Sequence, residues 1–420
     1  MMNKKANAGE TLSRDDVGAF VVGALGELPI DGKRLLIIIP DGTRTMPMPL
    51  LFELLQRNLE ARVDAVDYLV ALGTHPLMND AQLTRLVGRE VVEGVCGKSR
   101  IFNHRWDIAS TFAEIGTIPA GEVERISGGI LKDAIVVRIN RMIFEYDQIL
   151  ICGPVFPHEV AGFSGGNKYL FPGISGRDMI DQTHWLGALL GSRNIIGTPH
   201  TGVREMIDRA AENVSVPVAC LALVLTVDGI RGMFFGTGRE AWQGAAALSS
   251  ECHIEWADRP YRRILSVMPP MYEDMWTAAK GMYKAEPAIE DGGEVIIYAP
   301  NVTQLSYTHG ATIEKMGYHC RDYFLKQWER FSNVPRGILA HSIHVRGEGT
   351  FDEVSGKETS RIRVTLATGI SEEQCRRVNL GFANPREIKM AEWEGREAEG
   401  IKVVPRAGEI LQRVRSAAKS

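Results

Sequence analysis

Long apolar runs are missing from this chain. Nowhere do 18 or more apolar residues follow one another, so no segment is expected to cross a bilayer as a helix. Cysteine is sparse: Cys96, Cys152, Cys220, Cys252, Cys320 and Cys375 lie far apart, with no CxxC pair. That scatter argues against a zinc knuckle or a secreted disulfide framework and points to a reducing cytoplasm. Charge of either sign is not in excess, the net value being −4 with no long basic run, so neither nucleic acid nor an anionic membrane is the expected partner. The first residues, MMNKKANAGETLSRDD, lack the apolar segment of a signal peptide, which again fits a cytoplasmic protein. There is no internal repeat, no low-complexity tract and no HExxH.

What remains is an ordinary globular composition, 45% hydrophobic and 24% charged over 420 residues, enough for two or three domains. A β–α–β rhythm opens the chain. RLLIIIP (34–40) is the continuous apolar run of a parallel strand covered on both faces. Helical spacing follows over 49–63, a second strand over 65–73, and a second helix over 79–94 with Asn79 as N-cap. YDQILICG (146–153) and VPVACLALVLTVDG (216–229) read as further buried strands. The polar stretch HIEWADRPYRR near 253–262 marks a domain boundary. Beyond it come a helix near 274–285, strands over 293–300 and 361–369, and a terminal helix around AGEILQRVRSAA. The expected class is α/β with two domains, 1–258 and 259–399, a helix within 400–420 packing back on the first, and the active site in the cleft between them.

The densest signal is GPVFPHEVAGFSGGNKYLFPGISG, residues 153–176. One histidine, His158, and one lysine, Lys168, sit among glycines that include Gly165 and Gly166. Glycine permits tight turns and close approach of backbone to a ligand, so the loop is expected to fold around something bound. It does not match the P-loop GxxxxGK[ST], because Tyr169 stands where the hydroxyl residue belongs. Lys168 can serve as a phosphate clamp or as a covalent attachment point. Three strands also deliver polar groups to one sheet edge: Asp41 and Arg44 after the first, His75 after the second, His158 after the third. In parallel sheets ligands bind at the carboxyl ends of strands. Asp41 alone suits a capping or orienting role, and Arg44 suits bidentate carboxylate binding. His184 follows on a helix in DQTHW, and imidazole by itself selects no particular metal. His104, His253, His309, His319, His341 and His344 are expected to be structural. From residue types alone, a His-ligated metal hydrolase and a non-catalytic nucleotide- or phosphate-binding module both stay open.

The block HEVAGFSGGNKYLFPGISG followed by DQTHW, together with DGTR, GTH and MWTAAKG, resembles the nickel-pincer-nucleotide lactate racemase family. The resemblance implies an isomerase, a racemase or epimerase that inverts C2 of a 2-hydroxy acid by hydride transfer through a 2-keto acid. It implies a pyridinium-3-thioamide-5-thiocarboxylic acid mononucleotide nickel pincer, covalently attached to Lys168 and wrapped by the loop of Gly165 and Gly166. His184 would be the protein's nickel ligand, and His75 and His158 the acid/base pair. Arg44 and Lys280 would hold the substrate carboxylate, Asp41 would orient its neighbours, and Trp328 would lie at the cofactor. Separate cofactor-maturation proteins are the implied partners. Trp276 and Thr277 stand where lactate-specific members carry Tyr-Gln, so a 2-hydroxy acid other than lactate is the expected substrate.

Overall fold

The computed structural model describes residues 1–415, and the chain divides into two compact units. The first comprises Met1–Phe156, Phe163–Thr183 and Pro199–Cys252; the second comprises Pro157–Gly162, His184–Thr198 and the chain from His253 onward. The helix Arg177–Leu190 contributes residues to both. The α/β class expected from the sequence is the class observed.

An eight-stranded sheet organises the first unit. From edge to edge its strands are Met2–Lys5, Gly229–Gly236, Val218–Thr226, Gln148–Pro154, Arg34–Ile39, Ala65–Val70, Ser99–Asn103 and Val95–Cys96. The five from Val218–Thr226 to Ser99–Asn103 run parallel. Antiparallel partners close both ends. Leu35, Leu36, Ile37, Ile38 and Ile39 are fully buried, which is why the run shows no polar alternation. From Arg34–Ile39 the chain steps outward to Ala65–Val70 and Ser99–Asn103, then returns to lay Gln148–Pro154 on the other side. The order therefore reverses between Arg34–Ile39 and Gln148–Pro154, and such a switch point is where parallel sheets leave a crevice for ligands.

The second unit holds a five-stranded parallel sheet, ordered Gly381–Phe382, Arg363–Thr368, Ile289–Ala299, Tyr261–Val267 and Ile401–Val404. Leu265, Ile296 and Ala367 form a small core on it.

Three expected helices differ. The one near 274–285 is two short turns, Met275–Ala278 and Lys280–Tyr283. The one placed over 79–94 covers only Asp80–Val87. Asn79 caps it as expected, in a reciprocal box with Gln82. Gly88, at φ +72°, then ends it, and a side chain there would stand 2.6 Å from Pro49. The terminal helix is absent among the described residues. Leu411–Val414 is instead a strand, parallel to Ile254–Ala257, with Leu411 fully buried. Gly408 turns the chain at φ +99° just before it, and strand pairing outweighs the local helical pattern. Residues 416–420 of that expected helix lie outside the described residues.

Candidate active site

Asp41 follows the strand Arg34–Ile39 by two residues, at the switch point, and is buried. Its Oδ1 accepts from the Thr43 amide at 3.0 Å and the Thr43 hydroxyl at 2.6 Å, an Asx turn that fixes the carboxylate. Its Oδ2 lies 2.5 Å from Nδ1 of His75, which follows the neighbouring strand Ala65–Val70. The His75 carbonyl accepts from the Trp106 indole at 2.8 Å, which anchors the backbone behind the ring. Burial opposes ionisation of Asp41, but the charges of His75 and Arg44 and the bonds from His75 and Thr43 outweigh it. The carboxyl is held well below the usual range and is ionised at neutral pH. A carboxylate on Nδ1 fixes the tautomer with the proton on that nitrogen and leaves the Nε2 lone pair as an acceptor. Arg44 stands over the Phe156 ring at 5.4 Å.

The Lys168 loop belongs to the same unit. Tyr169 lies close enough to Arg44 and Asp41 for their charges to act on its phenol, whose titration burial pushes far up. Lys168 itself is half-buried on a single 3-10 turn, Gly166–Tyr169. The loop's glycines have a packing reason beyond any ligand. A Cβ at Gly153 would overlap the Tyr169 hydroxyl; one at Gly165 would meet Val155 at 2.5 Å; one at Gly166 would meet Gly238 and Trp242 at 2.7 Å. Gly165 and Gly166 also need positive φ, +81° and +59°. Three side chains that the sequence reading passed over hold this loop. Arg204, buried on the helix Gly202–Ala211, donates to the carbonyls of Phe163 and Gly165 and stacks over Trp242 at 4.1 Å. The Trp242 indole donates to the Ser164 carbonyl at 2.9 Å, and Asp208 accepts from Asn167 at 2.9 Å. The available signal was an arginine on the apolar face of an amphipathic helix, beside Val203 and Ile207.

The second unit carries the other expected residues. His158 is buried, with Nδ1 accepting from the Val160 amide at 3.1 Å and Glu159 at 3.3 Å from the same nitrogen. His184 lies on the helix Arg177–Leu190; its neighbour Trp185 packs on Trp328 with ring centres 5.6 Å apart. Lys280 is buried with its ammonium 4.2 Å from the Tyr272 ring centre. Trp276 lies against His341 at 4.0 Å and His309 at 4.7 Å between ring centres. Burial, then the charges of His344, His309 and His184, hold His341 well below the usual imidazole range. His309 and His341 thus share the surroundings of Trp276 and His184, which their sequence settings did not reveal. Thr277 is committed locally, its hydroxyl 2.8 Å from the Asp274 carboxylate that caps its helix. His104 is structural as expected, buried with Ser175 and Asn140 as partners and pushed down by burial to about 4.

The structure therefore brings Asp41, Arg44, His75 and the Lys168 loop together in one unit. His158, His184, Trp276, Lys280 and Trp328 are in the other. Residues 22–196 match the family described as the lactate racemase N-terminal domain. Lactate racemase of Thermoanaerobacterium thermosaccharolyticum is 28% identical over 291 residues, and that of Lactiplantibacillus plantarum 26% over 308. Over that N-terminal stretch the chain is homologous to the lactate racemases. The alignments cover 66% and 71% of this chain but 62% and 67% of those relatives. A crystal structure of a Thermotoga maritima protein is 31% identical and superposes with a TM-score of 0.89, covering 97% of this chain and 99% of that one. The lactate racemase apoprotein of T. thermosaccharolyticum, at 20% identity, shares the fold, with a TM-score of 0.70 over 97% and 94% of the two chains.

Proposed function

We propose that the protein inverts C2 of a 2-hydroxy acid, as a racemase or epimerase, with His75 and His158 as its acid/base pair. The observation that carries this reading is the Asp41–His75 pair beside Arg44 at the switch point of the first sheet. A guanidinium suits a substrate carboxylate, and an imidazole oriented by a carboxylate suits proton exchange with the adjacent hydroxyl. Asp41 holds the proton on Nδ1 of His75, so Nε2 takes the hydroxyl proton from one enantiomer or returns it. His158 does the same for the other enantiomer. General-base help of this kind is worth about 10²–10⁴-fold. Arg44 and Lys280 would fix the carboxylate, so that binding becomes orientation.

The residues fit the nickel-pincer nucleotide implied by the family. A metal bound through the protein alone takes three or four clustered ligands, and among the described residues no three His, Cys, Asp or Glu side chains gather to hold one. A group that brings its own donors needs a single imidazole and a tether, and His184 and the half-buried Lys168 are of those types. When bound, the nucleotide supplies a nickel centre able to accept hydride, which avoids a carbanion beside a carboxylate. Lys168 would carry it, the backbone of Gly165 and Gly166 would border it, His184 would ligate the metal and Trp328 would flank it.

The substrate in this reading is not lactate. Trp276 is already occupied by two imidazoles, and the Thr277 hydroxyl by Asp274, so this segment presents no amide to a small substrate. The test is to produce the protein with the maturation proteins, then measure intact mass, nickel content and turnover of chiral 2-hydroxy acids. An adduct on Lys168, stoichiometric nickel and inversion of at least one acid are expected. Lys168→Ala should abolish all three. Nickel-loaded protein that inverts none of them would sink the racemase reading, and an unmodified Lys168 without nickel would favour the phosphate-binding or hydrolase readings.

A further inference from the structure

Tyr169 stands where a P-loop would carry its hydroxyl residue. Its phenol leaves the turn Gly166–Tyr169 and rests its hydroxyl against Gly153, where a Cβ would overlap it. Gly153 lies near the carboxyl end of Gln148–Pro154, one of the two strands that flank the switch point. Arg44, which follows the other flanking strand, stands over the ring of Phe156, three residues beyond Gly153. The turn is also tied to the segment that leads into His75. The Gly73 amide donates to the Gly173 carbonyl at 2.9 Å, and the Gly173 amide to the Lys168 carbonyl at 3.0 Å. Tyr169 therefore shares one strand edge with Asp41, Arg44 and His75, all within the first unit.

The hydroxyl of Tyr169 has no hydrogen-bond partner among the described residues. The residue is half-buried, and its hydroxyl is not one of the polar atoms sealed in the interior, so it keeps accessible surface. Burial pushes its titration far up against the opposing charge of Arg44, so at neutral pH it is a neutral O–H. Packing on Gly153 needs only the ring. A phenol placed in partly buried surroundings normally finds a partner for its hydroxyl.

The neighbouring charges say what that partner is. Asp41 is already committed, with Oδ1 on the Thr43 amide and hydroxyl and Oδ2 on His75. Arg44 is half-buried and has no ion-paired carboxylate among the described residues. A guanidinium and a neutral O–H over the end of one strand suit a single carboxylate: the first supplies charge, the second a further donor.

We propose that the Tyr169 hydroxyl is a substrate-binding group that donates to the carboxylate anchored by Arg44. The inference rests on the reading of Arg44 as that anchor.

The test is isothermal titration with glycolate of the full-length protein, produced with the maturation proteins. Glycolate has no stereocentre, so its binding is read without inversion. Saturable binding is expected, weakened about tenfold in Tyr169→Phe and at least as much in Arg44→Ala. Phe keeps the ring over Gly153 and leaves no protein group unpaired, so the melting temperature and the proposed Lys168 adduct should not change. For a chiral acid that the wild type inverts, Tyr169→Phe should raise KM about tenfold and hold kcat within about twofold, the pattern of lost uniform binding. No saturable binding of glycolate by the wild type, or equal binding by Tyr169→Phe, overturns the proposal. So does a Phe variant whose melting temperature and adduct fall together with its binding, because the hydroxyl then serves the fold. Tyr169-dependent binding without inversion of any acid would uphold the proposal and sink the racemase reading. Inversion with an unchanged KM in Tyr169→Phe would do the reverse.

Discussion

The Asp41 carboxylate stands 2.5 Å from Nδ1 of His75, though 34 residues separate them in the chain. Adjacent parallel strands bring the two together, and burial makes the pairing count, since a carboxylate out of water depends on its partners. Asp41→Asn keeps the shape and removes the charge. The expected result is a fall in kcat on the order of 10–10²-fold with little change in KM, because orientation of a working imidazole by its outer partner is typically worth that much. Steady-state kinetics on the preferred hydroxy acid decide it, and an unchanged kcat would detach the pair from proton transfer.

The Lys168 loop hangs on Arg204, whose guanidinium serves two of its carbonyls from a buried position. Arg204→Met fills similar volume but leaves those carbonyls unpaired, at roughly 1–3 kcal/mol for each buried group. A lower melting temperature is expected, together with reduced occupancy of the proposed Lys168 adduct by intact mass. Full occupancy in a destabilised variant would confine Arg204 to the fold.

Gly153→Ala tests the packing account of the glycines. The added methyl overlaps the Tyr169 hydroxyl and must displace the turn that carries Lys168. Overpacking of this kind costs about 1–3 kcal/mol. Chemical denaturation should show the loss, and wild-type stability with wild-type activity would mean that the turn yields freely.

His344 predicts an acid limb in stability. Its folded pKa, about 4, lies below the ordinary imidazole value of 6.5. The unfolded chain therefore binds the proton first as pH falls. The stabilisation is complete above about 6.5 and is lost between there and about 4, a contribution on the order of 3 kcal/mol. Melting curves across that window should slope less steeply for His344→Leu than for the wild type, with buried His104 and His341 keeping the rest of the slope; equal slopes would place the limb elsewhere. Asp41 acts at lower pH, since its depressed pKa contributes stability above the usual carboxylate value that is lost only in stronger acid.

Part of this protein was legible as text. The buried run at 34–40, the strand–helix rhythm and the α/β class follow from hydrophobic periodicity, because a strand covered on both faces has no polar side to display. The block from His158 to His184 carried the family in its order of residues alone. Asp41 and His75 were legible as neighbours at one sheet edge, because side chains just past parallel strands share that edge.

Other features depend on contacts that no local pattern encodes. The segment at 411–414 reads as helix yet pairs with 254–257, since ladder hydrogen bonds and burial of Leu411 outweigh propensity. Arg204 and Trp242 gain their role only when a distant helix is pressed onto the glycine loop. The neutral state of His341 and His344 is likewise a consequence of burial, because an imidazole takes its charge from its surroundings, and those surroundings exist only in the folded chain.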